Sequence, residues 1–123
     1  SGHAMYRAMC DQQLQAQERT DDTLSEKVLA HLGLFSGAFP TVEAVARTFD
    51  LSERSLRRAL SEEGRSFRDL LAEARYVKAR HLLKHSSLSV EDIAHQLGYA
   101  ESAAFIHAFQ RWAGQSPAVY RGR

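Results

Sequence analysis

Three arginines in the middle of this 123-residue chain, Arg54, Arg57 and Arg58, share with Ser61 a spacing of i, i+3, i+4 and i+7, which on a helix is a single stripe. Leu56 and Leu60 fall on the opposite side and would face a core. A guanidinium is a planar fork of donors, and three of them in a row can grip guanine edges or phosphates. A charged helix face is ordinarily just a solvated one. Here Glu53, Glu62 and Glu63 fall off the stripe, so the sequence gives it no acidic partner and favours contact with a polyanion. A second, nearly neutral set follows at Ser102, Ala103, Ile106, His107 and Gln110. Ile106 is unusual on a solvent face but suits the methyl group of thymine, while Ser102 and His107 can hydrogen-bond to base edges. Base contacts are therefore expected from Arg54, Arg57, Arg58, Ser102, Ala103, Ile106 and His107. The alternative for the second set is that Ile106 is partly buried and the helix only positions the protein.

Other chemistry finds little support. His81 and His85 have a zinc-compatible i, i+4 spacing, but no third ligand is near them in sequence, so they read as surface or packing residues and no metal is expected. Cys10 is the single cysteine, which excludes an internal disulfide and fits a reducing cytoplasm. Its polar surroundings offer neither a base nor an oxyanion site. Glycine-rich phosphate loops and Ser-His-Asp candidates are missing, so neither enzyme activity nor a cofactor is expected. No stretch is long and apolar enough to span a membrane, and no secretory signal is visible.

The net charge of +1 is modest for a nucleic-acid binder, but its distribution is uneven. Residues 54–84 carry nine basic and four acidic side chains, whereas residues 1–53 carry four and eight. Positive charge is thus concentrated where a phosphate backbone could meet it.

The elements that must position these residues are helices. With two prolines and an abundance of Ala, Leu, Arg, Glu and Gln, helix is favoured almost everywhere after residue 23, and no strand is expected. Residues 1–22 are polar and aperiodic and read as a tag remnant followed by a flexible linker. A first helix is expected from Thr23 to about Phe35, with Leu24, Val28, Leu32 and Phe35 on its inner face, ended by 36–40. A short helix capped by Thr41 and a second capped by Ser52 follow, and Gly64 closes the pair. Ser66 opens a long helix, about 66–85, with Phe67, Leu70, Leu71, Ala74, Val77 and Leu82 as its buried stripe.

The chain then repeats itself. At an offset of 48, Val42, Glu43, Val45, Ala46, Phe49, Leu51 and Glu53 meet Val90, Glu91, Ile93, Ala94, Leu97, Tyr99 and Glu101. One residue later Leu56 and Leu60 meet Phe105 and Phe109, and at 50 Gly64 and Ser66 meet Gly114 and Ser116. Two helices crossing steeply need a small residue at the crossing, a turn residue tolerant of positive φ, and an apolar plug. Ala46, Asp50 and Leu51 supply these in the first copy, and Ala94, Gly98 and Tyr99 in the second.

The expected fold is therefore all-α, with about seven helices in two helix-turn-helix lobes, about 23–65 and 86–123, joined by the 66–85 helix as a linker. A helix of that length spans roughly 30 Å, close to one duplex turn of about 34 Å, so one chain could read two successive major grooves. Phosphate contacts are expected at helix starts, from Thr41, Ser52, Ser66, Ser89 and Ser116, and from Arg65, Gln110, Arg111 and Arg121. A reading from another class is a helical interaction module whose arginine stripe meets an acidic protein partner.

Residues 24–122 resemble the C-terminal DNA-binding domain of AraC/XylS-type transcription regulators. Val45-Ala46, Leu51 to Arg58 and Gly64 carry the resemblance in the first half; Ile93-Ala94, Leu97-Gly98-Tyr99, Phe105, Phe109 and Gly114 to Arg121 carry it in the second. The resemblance implies a two-lobed domain binding an asymmetric double-stranded promoter site in the bacterial cytoplasm, usually to activate transcription through RNA polymerase. It also implies a separate N-terminal effector or dimerisation domain. Asp50 and His107 depart from the family's usual small and basic or polar residues.

Overall fold

The computed structural model describes residues 22–35 and 37–122. The reading of residues 1–22 as tag remnant and linker lies almost wholly outside them. Seven helices and no strand occur among the described residues: α1 (Leu24–Leu32), α2 (Val42–Thr48), α3 (Glu53–Glu62), α4 (Phe67–His85), α5 (Val90–Gln96), α6 (Ser102–Ala113) and α7 (Pro117–Arg121).

Local chemistry sets most of the starts. Thr23, Thr41, Ser52, Ser66, Ser89 and Ser116 each hold extended backbone and accept a hydrogen bond from the amide three residues on, which satisfies one of the donors a helix start leaves open. At Thr23 and Ser66 the third residue, Glu26 and Asp69, reaches back to the cap amide and completes a capping box. Only α6 starts without a side-chain cap. The first helix is shorter than the sequence suggests, because Gly33 caps it and the Gly33 amide donates to Leu29 O. Phe35 therefore lies in the following segment, edge-on to His31.

Two cores form, one per lobe. Val28, Leu32, Val45, Ala46, Leu56, Leu60, Phe67, Leu70 and Ala74 fill the first; Ala79, Leu83, Ile93, Ala94, Leu97, Phe105 and Phe109 fill the second. The 19 residues of α4 serve both, with Phe67, Leu70 and Ala74 in one and Ala79 and Leu83 in the other. This corrects the expected stripe. Val77 stays half exposed, at 50%, and Leu83 rather than Leu82 is fully buried. A single stripe of 3.6-residue period cannot face two cores on different sides, so the helix changes its buried face midway. Phe39 packs against both clusters. Trp112 and Tyr120 pack on the second core. No helix of the described residues is long and apolar enough to cross a membrane.

Candidate nucleic-acid interface

Each lobe builds the same turn. In the first, Asp50 takes φ 60, the Asp50 amide donates to Arg47 O at 3.1 Å, and the Leu51 amide reaches back to Ala46 O at 2.8 Å. In the second, Gly98 takes φ 98, its amide donates to His95 O at 3.0 Å, and the Tyr99 amide donates to Ala94 O at 3.0 Å. This paired closure with a left-handed residue ends one helix and redirects the chain into the next within a few residues. The three-part pattern seen in the sequence therefore corresponds to matching hydrogen bonds 48 residues apart.

After the first turn, α3 presents the arginine stripe. Leu56 and Leu60 are fully buried, whereas Arg54, Arg57, Arg58 and Ser61 are exposed. Ser52 Oγ accepts from the Ser55 amide at 3.0 Å and fixes where the helix begins. One expectation fails here. The stripe does have an acidic neighbour, since Arg57 Nε donates to Glu53 Oε2 at 2.9 Å along the helix. An i−4 pairing of this kind is local and solvent-exposed, contributing only about 0.3–0.5 kcal/mol, so it restrains Arg57 without neutralising Arg54 or Arg58.

After the second turn, α6 buries Phe105, Ala108 and Phe109 and exposes Ala103, His107, Gln110 and Arg111. Ser102 and Ile106 are half-buried, so part of the isoleucine's apolar surface is already covered within the domain. His107, Gln110 and Arg111 together line a shallow open depression of about 340 Å³. The second face is thus flat, weakly charged and partly apolar, unlike the cationic first one.

The expected phosphate contacts divide. The caps Thr41, Ser52, Ser66 and Ser89 are exposed and Ser116 is half-buried, each beside the open amides of a helix start. Arg65, by contrast, donates to Glu73 Oε1 at 2.7 Å. Arg121 is turned inward: its Nε donates to Leu83 O at 2.9 Å, and its terminal nitrogen to Ser86 O at 3.3 Å. A cation at the C-terminal end of α4 satisfies carbonyls that the helix leaves open, so Arg121 caps the linker helix where a phosphate contact was expected.

Sequence reasoning missed the side chains that tie the pieces together. Glu63 accepts from the Leu24 amide at 3.1 Å and the Ser25 amide at 2.8 Å, closing α3 onto the start of α1. Burial would raise its carboxyl, but hydrogen bonds from Ser25 and Leu24 and the charge of Arg65 outweigh this and hold it below the usual range. Lys78 Nζ donates to Phe35 O at 2.7 Å, and burial lowers its ammonium. Arg75 Nε donates to Leu97 O at 3.1 Å. Burial raises the Tyr99 phenol, and the charges of Arg75 and Arg111 offset part of that. None of the hydrogen bonds among them spans fewer than 22 residues, and nothing in local spacing announces them.

Among described residues, no group of three or more metal-ligating side chains comes together; His81 and His85 stack with ring centroids 4.8 Å apart.

Comparison with known proteins bears on what this surface meets. A family model described as "Helix-turn-helix domain" matches residues 45–123, more than half of the chain. An uncharacterised helix-turn-helix-type transcriptional regulator of Mycobacterium tuberculosis is 44% identical over 116 residues, covering 94% of this chain and 33% of its own length. The helix-turn-helix-type transcriptional activator RhaS of Escherichia coli is 43% identical over 76 residues, 61% of this chain and 27% of that protein. The chain thus spans about a third of the curated relatives it matches. The DNA-binding domain of the global transcriptional factor AdpA, solved in complex with a target DNA, is similar at 30% identity and a TM-score of 0.62, over 81% of this chain and 91% of that one.

Proposed function

We propose, from the premise that this chain belongs to the AraC-type family of helix-turn-helix DNA-binding transcription regulators, that it reads an asymmetric promoter site with α3 and α6 in successive major grooves. The observation that carries this reading is the duplicated turn, with its outward helix face cationic in one copy and nearly neutral in the other. Two unequal readers suit two different half-sites, whereas a symmetric dimer would suit a palindrome. AdpA's domain, similar across 81% of this chain, was solved with target DNA, which supports double-stranded DNA as the ligand.

In this reading Arg54 and Arg58 take guanine edges or the phosphates beside them, and Arg57 joins after leaving Glu53. Ser102, Ala103, Ile106 and His107 face the second groove, with the half-exposed isoleucine meeting a thymine methyl. Gln110, Arg111 and the open amides after Thr41, Ser52, Ser66, Ser89 and Ser116 hold phosphates and set the register. Arg65 joins them only by leaving Glu73. Activation through RNA polymerase, under control of a separate effector or dimerisation domain, is the regulatory role we assign. The resemblance to an activator supports its sign, and the greater length of the relatives supports the further domain.

Selection of random duplexes by the purified chain, followed by sequencing, tests the reading. The expected result is a consensus of two dissimilar half-sites about one turn apart. Recovery of no consensus would favour an acidic protein partner for the arginine stripe instead.

A further inference from the structure

The linker helix carries two cations one turn apart that bond to different lobes. Lys78 Nζ donates to Phe35 O at 2.7 Å and Gly37 O at 3.4 Å, tying the segment after α1 to α4. Arg75, half-buried, reaches the second lobe: its Nε donates to Leu97 O at 3.1 Å and its Cζ lies 4.9 Å from the centroid of the Tyr99 ring. Leu97 caps α5 and Tyr99 is the plug of the second turn, so the guanidinium straddles the turn that aims α6. Gly98 lies between them, where a Cβ would come within 3.4 Å of the Arg75 terminal nitrogen.

The two copies differ at the turn residue beside this contact. Asp50 and Gly98 occupy equivalent places with φ 60 and 98, and aspartate is among the few side chains that tolerate that region. At position 98 a Cβ would only meet the arginine's terminal nitrogen at van der Waals distance, and it is the φ of 98, further from the left-handed helical region than Asp50, that favours glycine.

We infer that Arg75 is a positioning residue for DNA reading: by clamping Leu97 O and the Tyr99 ring it fixes the angle of the second helix-turn-helix unit on the linker helix, and so the half-site spacing this chain accepts. The inference rests on the two-groove reading above. A clamp that pairs a rigid planar fork with both a carbonyl and a ring face restricts rotation more than either contact alone.

Two measurements on the full chain test it, in the background C10S so that labels can be placed. Without DNA, the distance distribution between spin labels at Arg68→Cys on α4 and Ala104→Cys on α6 should be narrow for Arg75 and roughly twice as broad for R75M and R75K. With DNA, unlabelled R75M and R75K should bind the selected two-half-site duplex about tenfold more weakly, yet bind a duplex with a scrambled second half-site within about twofold of the parent. Lysine keeps the charge, so if R75K binds as the parent does, Arg75 acts as a simple cation and the clamp is refuted. Equal weakening on both duplexes, or an unchanged distance distribution, refutes it as well. A parent protein indifferent to scrambling of the second half-site would instead refute the two-groove reading, and the DNA-free distances would still decide the clamp. Circular dichroism melting of each variant separates lost orientation from lost folding: narrow distances in a folded R75M overturn the inference.

Discussion

The three arginines of α3 differ in what holds them before any ligand arrives. Arg57 is paired with Glu53 at 2.9 Å, whereas Arg54 and Arg58 are exposed and appear in no ion pair among the described residues. Replacing Arg58 or Arg54 with alanine is expected to weaken binding to the selected site by about 1–3 kcal/mol if the side chain reads a base. Competition against scrambled DNA shows which role applies, because a phosphate contact weakens every sequence alike and lowers the salt slope. Glu53→Gln should act in the opposite direction. It frees Arg57 and removes a negative charge from the outward side of α3, so affinity for DNA at low salt should rise by roughly twofold to fivefold, and the gain should shrink as salt is added. A titration showing weaker binding for this variant would mean that Glu53 aims Arg57 and does not sequester it.

Among the elements, the ends of helices decide more than their middles. Glu63 follows α3 yet satisfies the first amides of α1, and its carboxyl is held below the ordinary range. A carboxylate with a depressed folded value contributes stability that is complete above the unfolded value and disappears as pH falls through the folded one. Glu63→Gln should therefore cost about 0.5–1 kcal/mol in urea denaturation at neutral pH, a modest figure because the side chain is largely exposed. The difference from the parent should vanish in acid, below the usual carboxylate range. A gap that persists there would point to packing as its source. The turns give a second prediction. Gly98→Ala forces an alanine to φ 98 beside Arg75, and should lower stability by about 1–2 kcal/mol, while Asp50→Gly should change it by less than about 1 kcal/mol. Thermal melts of the two variants, compared side by side, check the asymmetry.

For the whole molecule, α4 is at once a wall of both cores and the spacer between the two helix-turn-helix units. Its 19 residues span about 28 Å, a little less than one duplex turn of about 34 Å. DNA engaging both α3 and α6 is then expected to bend toward the protein, which costs a few kcal/mol and favours flexible steps between the half-sites. Inserting about five base pairs there puts the second groove on the far side of the duplex and should reduce affinity by at least tenfold; about ten return it to the near side but roughly 34 Å further along, beyond the span of α4, and should not restore it. Binding that ignores both insertions would mean that one lobe alone carries the affinity.

Sequence alone determined the parts governed by near neighbours. Caps, turn residues and apolar periodicity act within about five residues, so the duplicated unit, the seven helices, Asp50 in its left-handed turn and the exposure of Arg54, Arg57 and Arg58 were legible from residue types and spacing. The family resemblance rested on those same local signals, and the domain match over residues 45–123 agrees with it. What the tertiary structure decided was every question of which distant group a side chain meets. It turned Arg121 onto the carbonyls ending α4, moved the buried stripe from Val77 to Ala79 and Leu83, and brought Arg75 to Leu97 and Glu63 to the start of α1. A long cationic or acidic side chain can reach several partners with similar local energy, and only the packing of the two cores selects among them.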